Sequence, residues 1–250
     1  MTFWSMVNDP YVETAAFSVE QAKRFYPDSR FYIYDVGLTD KQRFLDLGCI
    51  VVPWEIDLDK WEDFKWRELY NRDVGPYSSA TPYCLRHLLE TEDDVVTLDA
   101  DFFMIRPIDE IFNDISFDVG LTIREDYELR HIDTVSEFEI LGPINFGCGF
   151  FLGNREVNVR FADLWIQDVE DNPENPWDQA GLNRFVFKAG IEDGPYRVGY
   201  VDGDIRMKTF PVKIYNNYHF DRGLDGVKMI HGKNRYFDGK TQDDLRRMFG

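Results

Sequence analysis

In the first hundred residues, short apolar runs rich in β-branched and aromatic side chains alternate with longer stretches of helical periodicity. That alternation limits the fold more than any other feature of the chain. "TFWSMVN" (2–8), "RFYIYDV" (30–36), "CIVVPWE" (49–55) and "VVTL" (95–98) read as strands. Between them, "YVETAAFSVEQAKRFY" (11–26) sets Val12, Ala16, Val19 and Ala22 or Lys23 along one helical stripe. "TDKQRFLDLG" (39–48) reads as a short helix closed by Gly48, "DKWEDFKWRELYNR" (59–72) as an amphipathic helix with Trp61 and Trp66 turned to the core, and "GPYSSATPYCLRHLLE" (75–90) as a fourth. Strand–helix repeats of this kind predict an α/β fold with a mostly parallel central sheet flanked by helices.

The second half reads differently. Strands are expected at 116–126 and 144–154, joined by a long polar connection, and helices follow near 155–171 and 177–189. Short strands near 196–201, 205–210 and 227–230 precede a terminal helix at 241–249. With 250 residues and no break in composition, one domain is expected, large enough to bury roughly 70–75% of its unfolded surface without a disulfide or metal staple. Cys49, Cys84 and Cys148 are odd in number and widely spaced, so they read as buried free thiols in a reducing compartment. The opening residues carry no basic segment followed by an apolar core, and no window approaches ~18 apolar residues. A soluble, cytoplasmic protein without a transmembrane segment is expected.

Formal net charge is −18. Such a field argues against nucleic acid and anionic membranes as partners, and a phosphorylated ligand would need a local cation to approach. One place in the chain can supply it. In "VVTLDADFFMI" (95–105), Asp99 and Asp101 interrupt an otherwise apolar, β-prone run, and burying unpaired carboxylates is costly. The other two Asp-x-Asp triplets are ordinary: Asp57-Leu-Asp59 opens a polar helix, and Asp202-Gly-Asp204 reads as a turn. Asp99 and Asp101 instead follow a buried strand, at the end of a sheet where open α/β folds bind ligands. Strand alternation would turn both toward one side, where a hard cation such as Mg²⁺ or Mn²⁺ could sit. A salt-bridged or helix-capping pair before a short helix at 109–113 is the structural alternative. A haloacid-dehalogenase-type phosphatase fits poorly, since neither an early strand nor a following Thr or Gly accompanies the pair. A two-metal nucleotidyltransferase would want a further shared carboxylate.

Four segments in order resemble the nucleotide-sugar glycosyltransferases of the GT-A fold. "VVTLDADFFMIRPIDEIF" (95–112) resembles their strand, Asp-x-Asp and short helix. "INFGCGFFLGN" (144–154) is similar to the donor-sugar segment of the glycogenin and lipopolysaccharide galactosyltransferase family (family 8). "PWDQAGLNRF" (176–185) resembles its Asp-Gln-x-x-x-Asn helix, and "VKMIHGKNR" (227–235) its late strand ending in His and followed by a basic residue. The resemblance spans residues 2 to about 237. It departs from family 8 at "HGKNRYFD", which is shortened and lacks Pro and Trp, and at Thr81-Pro82, where many relatives carry Lys-Pro.

That resemblance implies a divergent, Rossmann-like GT-A domain, with residues 1–113 as a nucleotide- and metal-binding half and 114–250 as a sugar- and acceptor-binding half. It implies a hexosyltransferase-type enzyme using Mn²⁺ or Mg²⁺, held by Asp99, Asp101 and His231. The donor would be a nucleoside-diphosphate sugar, UDP before GDP, and the acceptor a hydroxyl, with retention of configuration before inversion following from the family likeness. It further implies donor contacts from Asn8, Asp9, Tyr11, Arg86, Asn145, Gly147 and Lys233, with Arg235 adding charge, and places Asp178 and Gln179 at the reacting face. A noncatalytic carbohydrate- or Ca²⁺-binding domain on the same fold is the alternative from another class.

Overall fold

The structure, a computed structural model, describes residues 1–55, 75–124, 142–173, 175, 177–191, 194–218, 223–232 and 247. The helix expected at 59–72, Asp57-Leu-Asp59 and, apart from residue 247, the helix expected at 241–249 lie outside the described residues.

The predicted alternation is present. Strand β1 (Thr2–Val7) leads through a single 3₁₀ turn at Asp9–Tyr11 into helix α1 (Val12–Phe25). β2 (Arg30–Asp35), α2 (Gln42–Asp46), β3 (Ile50–Pro53), α3 (Gly75–Leu88) and β4 (Val95–Leu98) follow. A short strand β5 (Phe102–Met104) and helix α4 (Asp109–Phe112) come next, then β6 (Val119–Ile123), β7 (Ile144–Phe151), α5 (Arg155–Asp171) and α6 (Asp178–Lys188). β8 (Val198–Val201), β9 (Ile205–Pro211), α7 (Val212–Tyr215) and β10 (Met229–His231) complete it.

Eight strands form one sheet in the order β3-β2-β1-β4-β7-β6-β9-β8. β3, β2, β1 and β4 run parallel to one another, as do β6 and β9, while β7 and β8 run antiparallel to the strands beside them. Residues from both halves of the chain therefore share one sheet. Successive side chains split between its faces, as strand geometry requires. Trp4, Val95 and Phe151 join the layer under α3, α5 and α6, whereas Phe3, Val96 and Phe150 join the layer under α1. Burial on both faces explains why the strands read as continuous apolar runs.

α1 buries a wider arc than its predicted stripe, from Ala15 to Val19 together with Gln21 and Ala22. It is wedged between the sheet and β5, where Phe17 packs on Phe103 and the Ser18 hydroxyl donates to the Phe102 carbonyl. Asp202-Gly203-Asp204 does form the turn of the β8–β9 hairpin, with Asp202 and Gly203 at φ +48° and +85°. All three cysteines are buried and free. No helix among the described residues is long and apolar enough to cross a membrane.

Candidate metal centre

Strand order reverses at β1 and β4: the chain leaves β1 toward β2 and returns to β4 on the other side. Ligands bind open α/β sheets at the carboxyl ends of such neighbours. Asn8 and Asp9 follow β1 there, and Asp99 follows β4.

The aspartate pair is not part of a strand. Asp99 still donates its backbone N–H to the Gly147 carbonyl of β7 (2.9 Å), but the chain then turns, and Phe102 N–H bonds back to the Asp99 carbonyl (3.0 Å). The turn, rather than strand alternation, brings the two carboxylates together. Burial is also unequal: the Asp101 side chain is 10% exposed and that of Asp99 is 44% exposed.

Immediately after the turn, β5 pairs antiparallel with β10, and the register sets Phe102 opposite His231. Gly232 N–H donates to the Asp101 carbonyl (2.8 Å), closing the ladder beside the aspartates. At the other end, the Arg106 guanidinium donates to the Leu224 and Val227 carbonyls (2.9 and 2.6 Å), and Ile105 N–H to that of Lys228 (2.8 Å). A histidine from the end of the described chain is thus delivered by backbone pairing. His231 Nε2 lies 3.3 Å from Asp101 Oδ1 and 3.5 Å from Asp99 Oδ2. Among the described residues these three offer ligand atoms all within 4.8 Å of one another.

The donor set suits a hard divalent cation. Two carboxylate oxygens and an imidazole nitrogen match Mg²⁺ or Mn²⁺ and leave positions for other ligands. Two carboxylates this close repel each other, and a cation or a proton on the ring relieves it. Gly147 makes room for the histidine. A Cβ there would sit 2.5 Å from His231 Nδ1, 2.6 Å from Cε1 and 3.0 Å from the Phe102 ring. Its missing side chain is therefore filled by the imidazole.

The remaining candidates fall around this centre. Gln179 accepts a hydrogen bond from Phe146 N–H (3.1 Å), and Asn183 accepts one from Ile144 N–H (2.8 Å). Both α6 side chains thus take up β7 amides beside the register shift in its pairing with β6. Asp178 is buried. Its Oδ2 accepts from the Thr81 hydroxyl (2.8 Å) and its Oδ1 from Gln179 N–H (2.6 Å), while burial raises its pKa to about 7 against those two lowering contacts. Asn145 is fully buried on β7, and its carbonyl accepts from the Thr122 hydroxyl (2.5 Å) and the Asn216 amide (2.6 Å).

Asp9 is bound by Thr39, through its N–H (2.7 Å) and its hydroxyl (2.6 Å), which hold the carboxyl below its ordinary range. Asn8 precedes the 3₁₀ turn without a side-chain capping bond, and Tyr11 packs on the α1-side core. Arg86 is not brought to the aspartates. It lies in the last turn of α3, which leads toward the start of β4, and its guanidinium pairs with Asp163 of α5 (2.7 Å) and Glu90 (3.5 Å). Lys233 and Arg235 lie outside the described residues. Sequence reasoning missed Asn216, whose role depends on a fold that sets it against His231.

No family model matches the chain, and no curated protein does. Solved structures do. The galactosyltransferase LgtC, in complex with donor and acceptor sugar analogues, superposes with TM-score 0.54 at 15% identity, over 92% of this chain and 86% of that one. The chain has the GT-A glycosyltransferase fold. A glycosyltransferase involved in glycosylating the major capsid of PBCV-1 matches with TM-score 0.55 at 12% identity, over 99% of this chain and 97% of its own. Mouse xyloside xylosyltransferase 1 matches with TM-score 0.51 at 13% identity, over 93% and 98%. The fold and aspartate turn agree with the resemblance drawn from the sequence, while the low identities agree with divergence.

Proposed function

We propose that this GT-A domain is a metal-dependent glycosyltransferase, moving a sugar from a nucleoside-diphosphate sugar to a hydroxyl acceptor, a glycan before other acceptors. The observation that carries this reading is the convergence of Asp99, Asp101 and His231 at the reversal point of the sheet. One neighbour on the same fold holds donor and acceptor sugar analogues, which supports the same class of ligands here.

In this reading the three residues hold Mn²⁺ or Mg²⁺, which supplies positive charge to the donor diphosphate as the glycosidic bond lengthens. A chain of net charge −18 has particular need of it. Asn8 and Asp9, beyond β1, would face the nucleoside with Tyr11 behind them, and Lys233 would assist the leaving diphosphate. Residues 1–113 would then serve nucleotide and metal, and 114–250 sugar and acceptor. Gln179, which holds the Phe146 N–H, and Asp178 would stand at the reacting face, with Asn145 and Gly147 of β7 contacting the donor sugar. An inverting enzyme needs a carboxylate able to take the acceptor proton. Asp178, held by Thr81 and the Gln179 N–H, is the candidate for that role, and the family resemblance favours retention over it. UDP is favoured over GDP by the family resemblance.

The test is calorimetric titration of UDP and GDP into the protein with Mn²⁺, repeated after EDTA. Tight binding of one nucleotide that disappears with the metal is the expected result. Failure of both to bind in Mn²⁺ would refute the reading, and pyrophosphate as a product would identify a nucleotidyltransferase instead.

A further inference from the structure

The His231 ring has two nitrogens, and what holds the other one decides which faces the aspartates. His231 Nδ1 lies 2.9 Å from Asn216 Oδ1. The amide's orientation follows from its other end. Asn216 Nδ2 is 2.6 Å from the Asn145 carbonyl, a group that can only accept, and 2.8 Å from the Thr122 hydroxyl. That hydroxyl spends its own proton on the same carbonyl, at 2.5 Å, and so can only accept from the amide. Turning the amide over would set its oxygen against a carbonyl oxygen at 2.6 Å. Oδ1 therefore faces the ring, Nδ1 carries the hydrogen, and the Nε2 lone pair is aimed at Asp99 and Asp101.

The backbone holds both partners in place. Asn216 closes α7 with its N–H on the Val212 carbonyl (2.9 Å). The next residue, Asn217, donates to the Met229 carbonyl (3.1 Å) and accepts from His231 N–H (2.9 Å). The ring itself sits over Gly147 and 5.2 Å, centroid to centroid, from Phe102. Asn216 is fully buried, His231 nearly so.

We propose that Asn216 is a positioning residue: it fixes His231 as an Nε2 ligand and thereby sets the affinity of the aspartate–histidine cluster for its cation. This rests on the metal-dependent reading above. Removing an outer hydrogen-bond partner of a ligating histidine weakens metal binding by roughly 10–100-fold, and that is the loss expected for Asn216→Ala. A merely structural role, satisfying the Asn145 carbonyl, predicts something else, because Thr122 serves that carbonyl as well.

Three variants separate the two roles, read by Mn²⁺ calorimetry and thermal melting. Asn216→Ala should lose both metal affinity and melting temperature. Asn216→Asp keeps an oxygen for the Nδ1 hydrogen but discards both donors, so it should lose stability while retaining Mn²⁺. Thr122→Val should lower the melting temperature and leave Mn²⁺ affinity within about threefold, since its hydroxyl bonds the Asn145 carbonyl and the Asn216 amide. Long-range ¹H–¹⁵N spectra of the Mg²⁺-loaded protein, assigned with His231→Gln, should show the His231 proton on Nδ1 in the native protein and not held there in Asn216→Ala. Undiminished Mn²⁺ binding by Asn216→Ala, or an equal loss in Thr122→Val, would overturn the positioning role and leave the metal reading standing. A native protein that binds no Mn²⁺ would overturn both.

Discussion

Adding one methyl group at position 147 should disable the candidate metal centre without replacing any of its three residues. A Cβ on Gly147 would lie 2.5 Å from His231 Nδ1, whereas an ordinary van der Waals contact needs about 3.5 Å. The ring must yield by about 1 Å. Phe102 is itself 3.0 Å from the new atom, so it cannot offer relief. A shift of that size breaks the 2.9 Å bond to Asn216, worth about 1 kcal/mol, and overpacking adds about 1–3 kcal/mol. Metal–ligand distances tolerate only about 0.2 Å, so Mn²⁺ affinity should fall at least about tenfold. Gly149, two residues along the same strand, is the matched control. Its Cβ would meet the Phe151 ring at 2.9 Å and the Phe146 ring at 3.0 Å, with the histidine not among those contacts. Both Gly147→Ala and Gly149→Ala should lower the melting temperature, by roughly 2–12 °C for 1–3 kcal/mol in a chain of this size. Only Gly147→Ala should also lose Mn²⁺ in calorimetry. Native Mn²⁺ affinity in a folded Gly147→Ala protein would refute the account of why a glycine stands there.

Asp101→Asn should remove Mn²⁺ binding and donor turnover while circular dichroism stays native, because the amide keeps the size of the carboxyl; full activity in that variant would sink the metal assignment. Asp178 should shape the pH dependence of stability. Burial lifts its folded-state pKa from 3.8 to about 7, so the native state keeps a proton that the unfolded chain has released, and this contribution is lost as pH rises through that window. Melting temperatures from pH 5 to 8 should fall less steeply in Asp178→Asn than in the native protein, and identical slopes would show that the carboxyl is not held protonated. Arg106→Ala removes the guanidinium that ties the Leu224 and Val227 carbonyls, so amide exchange in β10 should accelerate and Mn²⁺ affinity weaken severalfold, whereas unchanged exchange at Met229–His231 would mean that the β5–β10 ladder holds alone.

Much of this fold is written in local patterns, and those were legible. The strand–helix alternation needs only period and turn chemistry, both carried by neighbouring residues. Direction is another matter: Phe150 and Phe151 announce a strand buried on both faces, yet nothing in them says that β7 runs against β4. The helix through Gly75–Leu88 was readable despite Pro82 within it, because the apolar spacing on either side outweighs one lost backbone bond.

The candidate metal centre divides along the same line. Asp99 and Asp101 stand out because two charges in an apolar run are locally improbable, but the reason they converge is a turn, not the strand alternation that their spacing suggested. Gly147 is legible as a glycine in a strand, but the ring that fills the place of its side chain, that of His231, comes from a distant part of the sequence. Asn216 left no local trace, since its meaning lies in a carbonyl of β7 and a nitrogen of β10 that only tertiary structure places at its two ends. Ligand identity is thus a short-range property of this chain, whereas ligand orientation is a long-range one. Arg86 shows the same division: its residue type suits a phosphate, while the turn of α3 that carries it sets it against Asp163, a partner that only the fold supplies.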